Sequence, residues 1–346
     1  MNSATSIRNK SKTALLFILL AGLTLVFFVL DLSLGSAQIP VGDILSILVG
    51  GEGAKEHWPT IVESRLAQST TALLAGAGLA VCGLQMQTLF RNPLAGPSVL
   101  GVSSGASLGV ALVVLAAGDV LLGNYGMSAS VAIIFAAVLG AALVLLGIVA
   151  LAGKIKDNVT ILIGGLMIGY TASAIVSVLL HYSGQDKIQQ FVIWGFGSFS
   201  DVSYSQLKIF VPVVVGGLAL NVLLVKSLNV LLLGETYAGS MGMPVKRTRI
   251  LIILTTGLLA GTITAFCGPI AFLGLAVPHL TRSLFNTSDH RILIPGVVLT
   301  GTSLALICDL LSRYPVNLPL NAVTSLIGAP VVIWIIIRQR NLKAVM

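Results

Sequence analysis

Charge is what this sequence has least of. Of its 346 residues only 9% are Asp, Glu, Lys or Arg, against 56% hydrophobic, where soluble domains carry about 25% charged residues. A water-soluble fold is excluded on that ground. Cysteine is equally sparse: Cys82, Cys267 and Cys308 are scattered through apolar runs, with no CxxC and no histidine beside them. They read as small buried hydrophobes and indicate neither a disulfide framework nor a metal. The four histidines, His57, His181, His279 and His290, lie far apart in the chain. No GxxxxGK[ST] phosphate loop is present, since Gly153-Lys154 is followed by Ile155, and there is no HExxH. No enzyme is expected, and any energy from ATP has to come from another chain.

Acidic residues are scarce where a coupled carrier needs them. An ionisable group inside a span is a functional suspect, because burying it in lipid costs at least ~2.5 kcal/mol. Only Asp309 and Asp31 fall near span ends, and both are expected to reach the interface. This weighs against the alternative of an ion- or proton-coupled secondary transporter.

Long hydrophobic runs are what the sequence does have. A span needs roughly 20 apolar residues, and ten stretches of 15 to 26 residues read as spans: Ala14–Leu30, Leu66–Leu89, Val99–Ala117, Met127–Ala152, Val159–Leu180, Tyr204–Val225, Ile250–Phe266, Ile270–Leu284, Ile292–Leu311 and Ala322–Ile337. The expected fold is an all-α integral membrane protein, a single polytopic domain over 1–346 with about ten transmembrane helices. The segment between spans one and two is polar and broken by Pro40, Gly50, Gly51, Gly53 and Pro59, with a short helix near Val41–Val49. On this layout Lys55, Arg65, Lys187, Lys208 and Arg313 fall on the outer side, and the other fifteen of the 20 Lys and Arg residues fall inside. That positive-inside bias makes both termini cytoplasmic. The N-terminal run is too long for the 7–15-residue apolar core of a signal peptide, so it is read as the first span.

Small residues recur at fixed spacing. Gly101, Gly105 and Gly109 are four apart in span three, a pattern that lets helix backbones approach closely in lipid. Two outer arginines have two readings each. Arg65 suits a snorkelling anchor or an external contact; Arg313 suits a local ion pair with Asp309, four residues earlier, or a contact for a soluble partner.

The stretch Ser227–Arg249, SLNVLLLGETYAGSMGMPVKRTR, interrupts the apolar pattern between spans six and seven. Alone it fits either a membrane-surface helix or a short cytoplasmic helix that receives force from a soluble motor. Its basic end, Lys246, Arg247 and Arg249, reads as the positive-inside anchor of span seven.

Taken in order, several motifs resemble one family. They are Arg65-Leu66, Arg91-Asn92-Pro93-Leu94-Ala95-x-Pro97, Leu100-Gly101-Val102-Ser103-x-Gly105-Ala106, and Trp194 with Gly197-Ser198. There follow Gly268-x-Ile270-x-Phe272-x-Gly274-Leu275-x-x-Pro278-His279-x-x-Arg282, Asp289-His290-Arg291, and Leu318-Pro319 before Gly328-Ala329-Pro330. The sequence resembles the FecCD-type permease subunits of bacterial ABC importers for iron-siderophores, haem and vitamin B12. The resemblance implies a multi-pass protein of the bacterial cytoplasmic (inner) membrane that pairs with a second copy or homologue. It implies two cytoplasmic ATPase subunits, which carry the ATP and Mg, and an external substrate-binding protein; no cofactor is expected on this chain. It places ATPase coupling at Leu233, Gly234, Glu235, Thr236, Ala238, Met241 and Gly242, and a cytoplasmic gate at Asn92 and Leu94. Docking of the binding protein falls to Arg65 and Arg313. Gln68 stands where the family's Arg-Leu-Pro-Arg carries its second arginine, so docking there is expected to rest on fewer charges or on different ones.

Overall fold

The computed structural model describes residues 2–35, 37–51, 55–117, 129–155 and 157–344. Met127, expected to open span four, and Lys156 lie outside the described residues, as do the side chains of Arg8, Lys10, Arg338, Arg340 and Lys343. The described residues form helices and no strand: α1 (Asn2–Ser33), α2 (Val41–Leu48), α3 (Trp58–Leu89), α4 (Val102–Ala111), α5 (Ala129–Lys154), α6 (Asn158–His181) and α7 (Gln185–Gly195). The second half adds α8 (Tyr204–Leu223), α9 (Val225–Leu231), α10 (Glu235–Ser240), α11 (Val245–Cys267), α12 (Leu273–Phe285), α13 (His290–Arg313) and α14 (Leu320–Ala344). Seven of these, α1, α3, α5, α6, α8, α11 and α13, are long and apolar enough to cross a bilayer. At the expected spans three, eight and ten stand α4, α12 and α14, whose apolar stretches are shorter.

Helix starts depart from the sequence expectation for local reasons. Span two was placed from Leu66, yet α3 begins at Trp58 and carries Pro59 in its first turn, where a missing N–H leaves no bond unmade. Pro59 therefore opens the helix and does not break the segment. Span three was expected as one helix from Val99. Instead a 3-10 turn over Pro97–Leu100 is followed by Gly101 at φ 70°, and α4 starts only at Val102 before passing into a π-helical turn at Leu112–Ala117. Span seven was placed from Ile250, but α11 begins at Val245 and takes Lys246, Arg247 and Arg249 into its first turns. Asp157 fixes the start of α6: its carboxylate accepts from the Thr160 hydroxyl and backbone N–H at 2.6 and 2.8 Å. Those bonds hold this exposed carboxyl below the usual carboxylate range.

At the centre stands α3, which packs against α13, α12, α11, α8 and α1 and is buried on all sides for most of its length. A helix buried all round has no solvent face, so its polar residues must find partners inside the protein. Gln85 donates to Asn221 on α8 and to Thr255 at 3.2 Å on α11, and accepts from the Thr256 hydroxyl at 2.7 Å. The crossing with α13 needs two glycines in register: a Cβ on Gly301 would lie 2.5 Å from the Gly76 carbonyl.

A second close pair joins α4 to α5, where a Cβ on Gly105 would sit 2.6 Å from the Gly140 carbonyl and Gly109 abuts the Ala136 carbonyl. Gly101 faces the Gly165 carbonyl of α6 from its left-handed turn. Replacing Gly105 with Leu is expected to prevent stable packing of α4 on α5, because the added bulk meets backbone that cannot rotate away. The measurement is the yield of monodisperse protein after detergent extraction, which should fall at least fivefold; wild-type yield would contradict the close-packing account.

Candidate functional site

Two clusters of polar residues mark the two ends of the bundle. At the first, α10 projects from the turn between α8 and α11 on Gly234, whose φ of 102° suits glycine alone. Glu235 opens this six-residue helix and its carboxylate is fully engaged. It accepts two bonds from Arg249 of α11, at 2.7 and 2.9 Å, and one from Asn158 of α6 at 2.8 Å. Arg249 also donates to the Ile155 carbonyl at 3.0 Å, and Asn158 to the Leu89 carbonyl at 2.8 Å. One carboxylate thus ties α10 to α11, to the α5–α6 turn and to the end of α3.

The neighbouring α9 is tied just as firmly. Asn229 donates to Asp289 at 2.7 Å, and its carbonyl oxygen accepts from the backbone N–H and the ring Nδ1 of His290, each at 2.8 Å. The other ring nitrogen of His290 meets Thr88 of α3 at 2.9 Å. The two short helices and the end of α3 therefore form one braced unit.

On the other face of α10 the picture reverses. Leu233, Tyr237 and Met241 are 59, 56 and 59% exposed; Tyr237 lies within α10, and Leu233 and Met241 flank it in the turns at its two ends. Thr236 and Gly242 are also exposed, while Gly234 and Ala238 are buried and shape the helix from within.

Glu235, expected as an exposed coupling contact, is 28% exposed at its side chain, and Arg249, expected as a positive-inside anchor of span seven, is 5% exposed and pairs with it. Glu235→Lys is accordingly expected to lower stability by about 1–3 kcal/mol, because it sets an ammonium against the Arg249 guanidinium. Glu235→Gln, which keeps an acceptor for Asn158, should lose less. Thermal melting of both variants checks the order; a Lys variant as stable as wild type would refute the brace.

Beside this unit lies the expected gate. The Asn92 carbonyl oxygen accepts from the Leu94 N–H at 2.9 Å, which folds the 91–97 turn, and His279 of α12 bonds the Pro93 carbonyl at 2.7 Å. Leu94 stays half exposed and lines a cavity of about 330 Å³ with Pro97, Ser103, Ile270, Phe272 and Asn321. The run Gly101–Gly105 has the letters of a GxSxG nucleophile turn, but Ser103 Oγ meets the Thr264 hydroxyl at 3.2 Å and no base.

At the opposite end, three side chains expected to face a docking partner are drawn inward. Arg65 is only 6% exposed and donates to the carbonyls of Leu32, Ser33 and Ala37 at 2.9, 3.2 and 2.5 Å. It satisfies the carbonyls that end α1, which no further turn of helix can reach. Gln68 donates to both oxygens of Asp309, at 2.9 and 3.0 Å. Arg313 pairs with Asp31 of α1 and with Asp309 at 2.9 Å. Ser69 donates to Asp31 at 2.5 Å. Asp31 and Asp309, expected to reach the interface, are 0 and 1% exposed, and both share the Arg313 guanidinium within the bundle. Arg65, Gln68 and Arg313 still line an open cavity of about 650 Å³ with Tyr314 and Asn317.

Sequence reasoning missed Tyr237, Asn158 and Asn229. The four-residue spacing of Leu233, Tyr237 and Met241 was the available signal for the first. The two asparagines act across contacts between distant segments and carry no local signature.

The model of the FecCD transport family matches residues 23–338. Vitamin B12 import system permease proteins BtuC are similar throughout: that of Klebsiella pneumoniae is 34% identical over 328 residues, 93% of this chain and 94% of its own. That of Citrobacter koseri is 35% identical over 325 residues, with the same coverage. Among solved structures, an inward-facing metal-chelate type ABC transporter superposes with a TM-score of 0.81 at 27% identity, covering 93% of this chain and 98% of its own. PsaBC from Streptococcus pneumoniae, solved with a Fab, shares the fold at a TM-score of 0.55 and 16% identity. With the family model matched over most of the length and relatives above 30% identity along nearly all of it, this multi-pass inner-membrane chain belongs to the FecCD transport family of permease subunits.

Proposed function

We propose that this chain is the permease of an ATP-driven importer for a metal chelate, with vitamin B12 the first candidate cargo, and that it works as a pair with a second copy or a close homologue. The observation that carries the reading is the exposed set Leu233, Tyr237 and Met241, in and beside a short helix that Glu235 ties to Arg249 and Asn158. A surface of that kind transmits force: a soluble ATPase grips the exposed set, and the rigid backing passes its motion to the ends of α3, α11 and α13.

On this reading ten helices cross the bilayer, with α4, α12 and α14 completed by their neighbours, and the α10 end with both termini lies in the cytoplasm. The face of α6 that bears Ile163, Met167, Tyr170, Thr171 and Ser177 is exposed on this chain. Its hydroxyl side chains suit a path shared with the partner permease better than bare lipid. Asn92 and Leu94 narrow the cytoplasmic mouth. Acidic residues of a binding protein reach Arg313 and Arg65 through the 650 Å³ cavity.

A secondary carrier has to bind its coupling ion on buried carboxylates; Asp31 and Asp309 are the buried pair near the outer end, and both are engaged by side chains of the bundle. The deciding experiment is uptake into proteoliposomes containing this permease, its ATPase and its binding protein, with labelled cobalamin, a ferric siderophore and haem compared. ATP-dependent uptake of one chelate supports the proposal. Uptake by this chain alone under an ion gradient would reject it.

A further inference from the structure

The ends of α5 and α11 and the start of α10 enclose a cavity of about 450 Å³. Its walls carry Lys154, Lys246 and Arg249, with Glu235 as the carboxylate among them and Thr236 at the rim. Glu235 is matched by Arg249, so Lys154 and Lys246 give the cavity a net positive charge. Asp157, the next carboxylate along the chain from Lys154, is engaged in capping α6.

An apolar track leads into this cavity. Leu139, Leu143, Leu146 and Ala150 are exposed along one face of α5, and the same face ends at Lys154. Gly147 lies within the track and has open space where a side chain would stand. From Ala150 to Leu139 the helix rises about 16 Å at 1.5 Å per residue, close to half of the roughly 30 Å hydrocarbon core. A cationic cavity at the foot of a one-leaflet apolar track has the shape and charge of a lipid site.

We propose that the cavity holds the phosphate headgroup of an anionic phospholipid, with the acyl chains lying along Leu139, Leu143 and Leu146. The headgroup bridges Lys154 of α5 and Lys246 of α11 beside the Glu235–Arg249 pair, so the lipid becomes part of the support behind α10. This rests on the topology proposed above, which puts this end in the cytoplasmic leaflet.

The test is native mass spectrometry of the purified full chain titrated with phosphatidylglycerol or phosphatidylcholine of identical chain length. Phosphatidylglycerol should bind at least about tenfold more tightly. Lys154→Gln with Lys246→Gln should remove that preference. Lys226→Gln with Arg247→Gln takes away the same charge from exposed positions outside the cavity and should leave it within twofold. All four side chains are exposed, and unchanged melting of both double variants checks that the fold is kept. Equal binding of the two lipids, equal loss in both double variants, or no loss in the first would overturn the proposal. Displacement of the lipid by millimolar inorganic phosphate would overturn it in favour of a free-anion site. No transport is measured, so a negative result leaves the importer reading standing.

Discussion

Introducing aspartate at both Leu233 and Tyr237 is expected to abolish ATP-driven uptake while leaving the bundle folded. Both side chains are more than half exposed, so neither belongs to the buried core of the chain. Covering three such side chains on a partner is worth on the order of 1 kcal/mol each, about a hundredfold in affinity for the set. Two carboxylates in their place lose most of that gain and add desolvation against it. The ATPase should therefore fail to co-purify, and uptake should fall at least tenfold, with melting unchanged from wild type. Co-purification at wild-type yield would show that the motor grips another surface. The contrast with Glu235 is informative: charge reversal there is expected to act first on stability, and change in the exposed set first on partnership.

The largest stability change is expected at Arg313→Met. Its guanidinium stands between two buried carboxylates, Asp31 and Asp309, and its removal leaves both without a cation. Breaking a buried ion pair from one side costs about 3–5 kcal/mol, enough to unfold many domains. Asp309→Asn should behave quite differently. It removes the surplus negative charge of a cluster with two acids to one base, and its amide oxygen still accepts from Gln68. A smaller loss than that of Arg313→Met is expected, read as the shift in melting temperature in detergent. If the two variants melt alike, the cluster is not held together by Arg313.

These two sites differ in how far the sequence disclosed them. Span positions were readable because hydropathy and the lysine and arginine distribution are local and additive. Breaks within spans were less so, since Pro59 and Gly101 take their meaning from the turn around them. The exposed apolar set at α10 was partly legible, as Leu233 and Met241 were singled out while Tyr237 between them was not. The acidic cluster was misplaced because Asp31, Gln68 and Asp309 come from three distant segments, and nothing in any one segment shows that the others approach. Arg65 illustrates the same limit: outward by position along the chain, it is turned inward by the unmet carbonyls at the end of α1.

The burial of α3 also has a consequence for biosynthesis. Its Gln68 finds Asp309 only across 241 residues of chain, and Gln85 waits for Asn221, Thr255 and Thr256. At ordinary translation speeds that interval is roughly 10–50 s. Throughout it a helix bearing three glutamines has to stay at the insertion machinery or sit in lipid with its amides unmet. The second span to be made is thus among the last to be completed, and truncated chains ending before α13 should be cleared by membrane proteases instead of accumulating as half-bundles.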